Sequence, residues 1–223
     1  MKRILDIFFS VTALIFLLPL FVPICILLKL TGEGEIFFLQ NRVGKNGQNI
    51  KLFKFATMLK NSPEIGTGTL TVKGDPRVLP VGKFLRKTKI NELPQILNII
   101  SGEMSIIGPR PQEIRCFNAF PKSSQDTIKK VKPGLSGIGS IVFRNEGSLM
   151  ESCNEPEKFY DEVIMPYKGK LEEWYVKHNN IKTYFILLLS TIWVICFSKS
   201  RIVSKFFNDL PEPPKELLHN LNI

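Results

Sequence analysis

From Ile4 to Leu30 the chain reads ILDIFFSVTALIFLLPLFVPICILLKL, apolar throughout except for Asp6, Lys29 and a few small hydroxyl residues, and a run of that length can cross a bilayer. Two details argue against a plain crossing. Pro19 and Pro23 fall in its second half, where each removes a helix hydrogen bond, and basic residues stand on both sides, Lys2 and Arg3 before and Lys29 after. If positive flanks stay on the cytoplasmic side, a helix that enters the membrane, kinks at the prolines and returns satisfies both ends. A re-entrant anchor over 1–32 is therefore the expectation, with a spanning helix as the alternative. A cleaved signal peptide fits less well, because the apolar run is long and no small-residue cleavage site precedes Lys29.

After this segment the pattern changes to alternation. EIFFLQ and NIKLFKFATM flank NRVGKNGQ, with Asn46-Gly47 as the turn signal, which predicts a β-hairpin. Arg42, Lys45, Lys51 and Lys54 make it basic. Asn61 to Pro80 is rich in Gly, Thr and Pro, a loop composition, with Gly74-Asp75-Pro76-Arg77 as its turn. Asp75 could act in a site there or simply start the turn.

Lys83 to Arg110, KFLRKTKINELPQILNIISGEMSIIGPR, gathers cations, an Asn-Glu pair and a proline-framed arginine. Pro94 is tolerated only in a first helical turn, so a helix is expected to start near Asn91, capped by that residue, with Leu93, Ile96, Leu97 and Ile100 as its apolar stripe and Gly102 as its end. Phosphate is drawn to free N–H groups at a helix start, and Arg86, Lys87 and Lys89 add charge just upstream. Glu92 amid such basicity suggests a metal ligand; an ordinary capped helix on a basic surface reads equally well. Pro109 and Pro111 fix the backbone around Arg110, which suits phosphate capture, or else pairing with a carboxylate. In Lys129 to Arg144, KKVKPGLSGIGSIVFR, lysines precede a glycine-rich turn, a second candidate anion cradle that lacks the order of a nucleotide-hydrolysing P-loop.

Further on, Asn154 to Asn180 is acidic and aromatic and is expected to form one or two surface helices. Glu172 and Glu173 could position cations there, or Glu173 could pair with Lys177 at i,i+4. Tyr184 to Phe197, YFILLLSTIWVICF, is too short to span and reads as a helix lying in the membrane interface, or second as a buried core helix. The proline-rich end looks loosely ordered.

Composition enters as a filter. A formal charge of +10 suits nucleic acid, anionic lipid or a phosphorylated substrate, but its interleaving with membrane-length apolar runs disfavours nucleic acid. Cys25, Cys116, Cys153 and Cys196 are scattered, and His178 and His219 lie far apart, so neither a disulfide framework, a zinc site nor a histidine-based triad is expected.

Taken together, KFLRKTKINELPQILNIISGEMSIIGPRP followed by VKPGLSG resembles the bacterial sugar transferases, small monotopic phosphoglycosyl transferases acting on polyprenyl phosphate. The resemblance implies an α+β fold: a mostly helical monotopic membrane protein with an N-terminal re-entrant helix, a small β-hairpin and interfacial amphipathic helices. The expected organisation is an anchor over 1–32, a cytoplasmic catalytic-type domain over 33–180, an interfacial helix over 181–200 and a tail over 201–223. The implied activity is transfer of a sugar-1-phosphate from a UDP-sugar to undecaprenyl phosphate at the cytoplasmic face of the bacterial inner membrane, the first membrane step of glycan assembly. The route has two steps through an aspartate nucleophile, with Mg2+ as cofactor. Implied partners are the UDP-sugar, undecaprenyl phosphate and the phospholipid membrane, with no nucleic acid; a homodimer and contact with downstream glycosyltransferases stay open.

By the same resemblance Glu92 matches the magnesium-binding glutamate and Arg110 the arginine of the Pro-Arg-Pro element. Arg86, Lys132, Gly134, Gly137 and Arg144 are phosphate-side candidates, with Asp75 and Glu172 as further ones. Three positions depart from the family pattern. Asn91 stands where Asp-Glu-Leu-Pro-Gln has its nucleophile, Ala56 replaces the arginine of Lys-Phe-Arg-Ser/Thr-Met, and Glu172 replaces an aspartate. An amide is a poor nucleophile toward phosphorus, so a non-catalytic member that binds UDP-sugar or polyprenyl phosphate, or scaffolds glycan-assembly enzymes, is the alternative function.

A re-entrant anchor makes a topological prediction: reporter tags at the two ends should both read as cytoplasmic, and opposite-sided ends would instead establish a crossing helix. Replacing both Pro19 and Pro23 by Ala should shift the reporter pattern toward crossing.

Overall fold

The computed structural model describes residues 1–65, 75–151, 155–197, 200–218 and 221. Gly74 of the expected turn, Cys153 and His219 lie outside them. In chain order the structure runs α1 (Lys2–Leu30), β1 (Phe37–Val43), β2 (Asn49–Phe55), α2 (Pro80–Lys87), a 3-10 stretch Ile90–Gln95 leading into α3 (Ile96–Ser101), β3 (Ser105–Ile107), α4 (Ile114–Asn118), α5 (Lys122–Ile128), β4 (Gly134–Ser136) and α6 (Ile138–Val142). Then follow α7 (Glu146–Glu151), α8 (Pro156–Phe159), a π-helical stretch Tyr160–Ile164, α9 (Met165–Lys177), α10 (Ile181–Cys196) and α11 (Ile202–Phe206). The fold is mostly helical, and β1 and β2 form the expected small antiparallel hairpin. Asn46 and Gly47 turn it with φ of 58° and 75°, the left-handed region that these residue types tolerate.

Two compact units divide the chain. The smaller holds Ile7–Asn41 and Lys51–Ser101. Its core joins Phe21, Ile24 and Leu28 of α1 to Phe55 of β2 and Leu85 of α2, with Phe21 edge-on to Phe55 at 5.3 Å between ring centres. Pro19 and Pro23 lie inside α1 and do not divide it. A proline in a helix interior costs about 3 kcal/mol or more and each large apolar side chain buried contributes roughly 1.5–3 kcal/mol, so the packing of Phe21, Ile24 and Leu28 offsets a cost of the same order. The other faces of α1 expose Phe8, Ile15, Phe16, Leu18, Val22 and Ile26, the composition of a membrane-contacting helix. Asn98 of α3, fully buried, binds β2 at two points: its Nδ2 donates to the Lys51 carbonyl at 2.8 Å, and the Phe53 N–H donates to its Oδ1 at 3.0 Å.

The larger unit comprises Met1–Asp6, Arg42–Ile50 and Gly102–Ile223. At its centre β3 and β4 pair in parallel, Ser105 opposite Gly134 and Ile107 opposite Ser136, a sheet that the sequence pattern did not announce. Asp6 anchors the start of α1 to it. The carboxylate is buried and accepts from Ser105 Oγ at 2.8 Å, the Ile106 N–H at 3.0 Å and Tyr184 Oη at 2.9 Å, linking α1, β3 and α10. Along α10, Asn180 caps the helix by accepting from the Thr183 N–H at 2.9 Å. Tyr184, Leu187 and Val194 face the interior while Leu189, Ile192, Trp193 and Ile195 are exposed, so α10 is both a packing helix and an apolar surface.

The described residues 200–218 are more tightly held than their prolines suggest. Tyr167 Oη donates to the Pro211 carbonyl and Trp174 Nε1 to Asp209 Oδ2, each at 2.9 Å, Phe207 packs edge-on against Trp174, and Val203 and Leu217 are fully buried. Aromatic groups of α9 supply both the apolar area and the hydrogen-bond donors that order it.

Asp6→Ala leaves three donors unanswered, those of Ser105 and Ile106 part-buried and that of Tyr184 buried. It should lower the unfolding free energy by about 3 kcal/mol or more, measured by denaturant unfolding in detergent, with Asp6→Asn losing less because an acceptor oxygen survives.

Candidate functional site

In the smaller unit the Asn-Glu pair sits differently from the helix start expected for it. Lys89 precedes it with φ of 62°, and Ile90–Gln95 is 3-10 helical, so the α-helix begins only at Ile96, beyond Pro94. The reason is local: Pro94 has no N–H to give to an i−4 carbonyl, and the tighter winding puts it at the end of the turn. Asn91 is therefore no cap. The Glu92 N–H is already bonded to the Lys89 carbonyl at 3.1 Å, which removes it from the row of free N–H groups that a helix start would offer. Asn91 is buried, 7% exposed, and its Oδ1 has no hydrogen-bond partner.

Around this turn the unit gathers a cationic cluster. Lys54 Nζ of β2 lies 3.8 Å from Glu92 Oε1, and both side chains are mostly shielded from solvent. Arg86 of α2, half-buried, makes long contacts to Thr57 Oγ1 at 3.5 Å and Met58 Sδ at 3.4 Å. Burial lowers the pKa of its guanidinium, opposed by the Asp75 and Glu92 carboxylates. Gly82 lets α2 reach this strand end, since a Cβ there would meet the Thr57 carbonyl oxygen at 2.2 Å. Lys-Phe-Ala-Thr-Met at 54–58, Arg86 and Glu92 thus belong to one local structure. Asp75 has a different role: buried, it accepts from Arg77 Nε at 2.9 Å, Nη2 at 2.6 Å and the Arg77 N–H at 3.0 Å, while Arg77 Nη1 donates to the Ser62 and Ile65 carbonyls. That pair ties Arg77 to the backbone of Ser62 and Ile65, and the Asp75 charge also acts on Arg86.

The larger unit carries the other candidates. Arg110, half-buried, helps line a shallow pocket with Gly44, Pro109, Pro111, Gln112 and Pro133. Gly134 and Gly137 are explained by close approach: a Cβ on either would come within 2.2 Å of Gly108 backbone atoms, so β3 and β4 can pair only if these positions stay bare. Lys132 is pressed among like charges; burial lowers its pKa first, then Arg3 and Lys45, with Asp6 opposing. Arg3 Nη2 and Lys132 Nζ lie 3.2 and 3.6 Å from the point where a Gly102 Cβ would stand, so two cations share one spot over that glycine. Arg144 is exposed on the turn after α6.

Glu172 is 1% exposed. Its carboxyl pKa is pushed up to about 8 by burial, against the pull of the Lys168 charge and a hydrogen bond from the Arg110 backbone. Lys168, equally buried, gives its ammonium to both oxygens of Glu146 at 2.9 Å. Glu173 accepts from Ser124 Oγ at 2.6 Å, tying α9 to α5. Sequence reasoning passed over Asp6, Lys168 and Glu146. An acid inside an apolar run was the available signal for Asp6, since intramembrane charges seldom lack a role; nothing in the spacing marked the Lys168–Glu146 pair.

No group of three or more His, Cys, Asp or Glu side chains able to hold a metal occurs among the described residues. The donors nearest to a fit for magnesium are the Glu92 carboxylate and the orphaned Asn91 Oδ1 beside it in sequence. Such a hard-oxygen set suits an ion that brings most of its ligands as water and substrate phosphate.

The bacterial sugar transferase profile matches residues 1–198, and the chain belongs to that family. It is a transferase. Among its relatives is the exopolysaccharide production protein ExoY of Sinorhizobium fredii, 32% identical over 215 residues, 89% of this chain and 86% of that protein. The UDP-N-acetylgalactosamine-undecaprenyl-phosphate N-acetylgalactosaminephosphotransferase of Aeromonas hydrophila is 39% identical over 63% of this chain and 34% of its own length. The UDP-glucose:undecaprenyl-phosphate glucose-1-phosphate transferase of Klebsiella pneumoniae is 38% identical over 69% of this chain, again 34% of its own.

The raised Glu172 carboxyl makes stability depend on pH. An unfolded glutamate releases its proton near 4.5 and the folded one near 8, so between those values the folded state binds more protons and loses stability as pH rises. Denaturant midpoints should fall from pH 5 to pH 8, and Glu172→Gln should flatten that fall.

Proposed function

We propose that this chain acts on a UDP-sugar and undecaprenyl phosphate, moving a sugar-1-phosphate to the lipid and releasing UMP at the cytoplasmic face of the bacterial inner membrane. The observation that carries the reading is the cluster of Lys54, Arg86 and Glu92 in the unit that holds Asn91, in a chain similar to proteins whose names specify this transfer. A diphosphate substrate needs cations where charge develops, and a long-chain lipid acceptor needs the chemistry near a bilayer, which the exposed apolar faces of α1 and α10 fit. On this reading the anchor is re-entrant and the protein monotopic.

In the family's route an aspartate oxygen attacks the phosphorus bonded to the sugar, and the P–O bond to UMP breaks with the electron pair leaving on UMP. An oxygen of undecaprenyl phosphate then attacks the same phosphorus and displaces the carboxylate. Magnesium, when bound, would neutralise charge on the diphosphate. Glu92 would hold it, and Lys54 and Arg86 would orient the phosphates. Within the larger unit, Arg110 and Lys132 are proposed as phosphate-binding cations in their own right.

Asn91 favours a second reading. Its buried amide stands where the route requires a carboxylate, so the chain as it stands would bind substrate without forming the covalent intermediate.

UMP release from UDP-sugars with magnesium and undecaprenyl phosphate separates the readings. Asn91→Asp should raise the rate by on the order of a thousandfold or more. Equal rates for both chains would show that this position is not the nucleophile, and no release from either with any UDP-sugar would overturn the transfer reading.

A further inference from the structure

Pro109 and Pro111 have no N–H, so Arg110 carries the one backbone donor of its tripeptide. That donor goes to the carboxyl of Glu172 on α9, inside the larger unit. Glu172 is almost completely buried, and its Oε2 has no hydrogen-bond partner. On its other side is Gly139 of α6, where an added Cβ would stand 2.3 Å from Glu172 Oε1 and 3.1 Å from Cδ. Bare backbone at 139 is thus what leaves room for a glutamate here.

We infer that Glu172 is a positioning residue: by holding the Arg110 N–H from beneath, in the space that Gly139 vacates, it sets the direction from which the Arg110 guanidinium meets substrate phosphate. The role assigned to Arg110 rests on the proposed function; its being held by Glu172 does not. The arrangement also gives a reason for the longer acid. A glutamate reaches the strap between two prolines across a glycine, where a shorter acid would stop one methylene short. The titratable groups that act with Glu172 are Lys168 and Tyr175 on its own helix; Arg110 of the strap meets it through its backbone, and α6 contains no titratable side chain. Lys168 is committed to Glu146, so it does not form an ion pair that would fix Glu172 as an anion. An uncharged Glu172 keeps an acceptor oxygen for Arg110.

Two measurements on the detergent-solubilised full chain test this. Hydrogen exchange at the Arg110 amide reads the positioning without any ligand. Glu172→Ala and Gly139→Ala should each speed exchange at least tenfold relative to the unsubstituted chain, and Glu172→Gln, which keeps an acceptor and the side-chain size, should preserve protection. Unchanged exchange in Glu172→Ala would overturn the inference. Titration with UDP reads the consequence: Glu172→Ala should weaken binding about tenfold, Glu172→Gln should bind within a few-fold of the unsubstituted chain, and Glu172→Ala should add nothing to the loss caused by Arg110→Ala. Additive losses would mean that Glu172 acts elsewhere. If exchange responds as stated and UDP binds to none of the chains, the positioning stands and the nucleotide reading of the site fails.

Discussion

A carboxylate buried at the first turns of a helix built for lipid is the constraint on which the larger unit depends. Asp6 cannot stay with the apolar residues around it unless donors come to it, and three do, from two consecutive residues of β3 and from Tyr184 of α10. The same contact places the first residues of α1 beside the parallel strand pair, and with them Arg3 next to Lys132 above Gly102. Charge, strand and apolar helix are therefore fixed together by one side chain whose removal would leave all three donors unanswered.

The smaller unit solves a different problem. Its apolar core accommodates two prolines in α1, and Lys54, Arg86 and Glu92 stand on β2, on α2 and on the turn between α2 and α3. The left-handed Lys89, the 3-10 turn and Pro94 present Asn91 and Glu92 in sequence from a short rigid stretch rather than from a regular helix start. Glu92 faces Lys54 at 3.8 Å, while Asn91 carries an amide whose oxygen is unanswered. Burial without a partner is costly for an amide, and such an atom persists where surrounding packing holds it.

Much of this was legible from residues alone, and the gaps have physical causes. The hairpin followed from alternation and Asn46-Gly47, and the apolar segments from their length. The family followed from the ordered motifs between Lys83 and Gly137. The winding at Asn91 was misjudged because a proline's tolerance in a first helical turn does not distinguish an α-helix from a 3-10 one. Gly134 and Gly137 suggested an anion cradle, yet in the structure they admit the backbone of Gly108, a contact between segments far apart in sequence that no local pattern encodes. Burial likewise decided the fates of Asp75, Lys168 and Glu172, since each depends on groups brought in by other elements. The anchoring of Asp209 and Pro211 escaped notice because their partners, Trp174 and Tyr167, lie on a helix far off in sequence.

The central proposal is that the turn at residues 90–95 faces a sugar-linked phosphate and that Asn91 occupies the position of the attacking carboxylate. Intact-protein mass measurement after mixing with candidate UDP-sugars and magnesium tests it most directly. The account predicts that Asn91→Asp gains the mass of one sugar phosphate, discharged on adding undecaprenyl phosphate, on the order of a thousandfold faster than the unsubstituted chain. Equal adduct formation on both chains, or none on Asn91→Asp with any UDP-sugar, would contradict it.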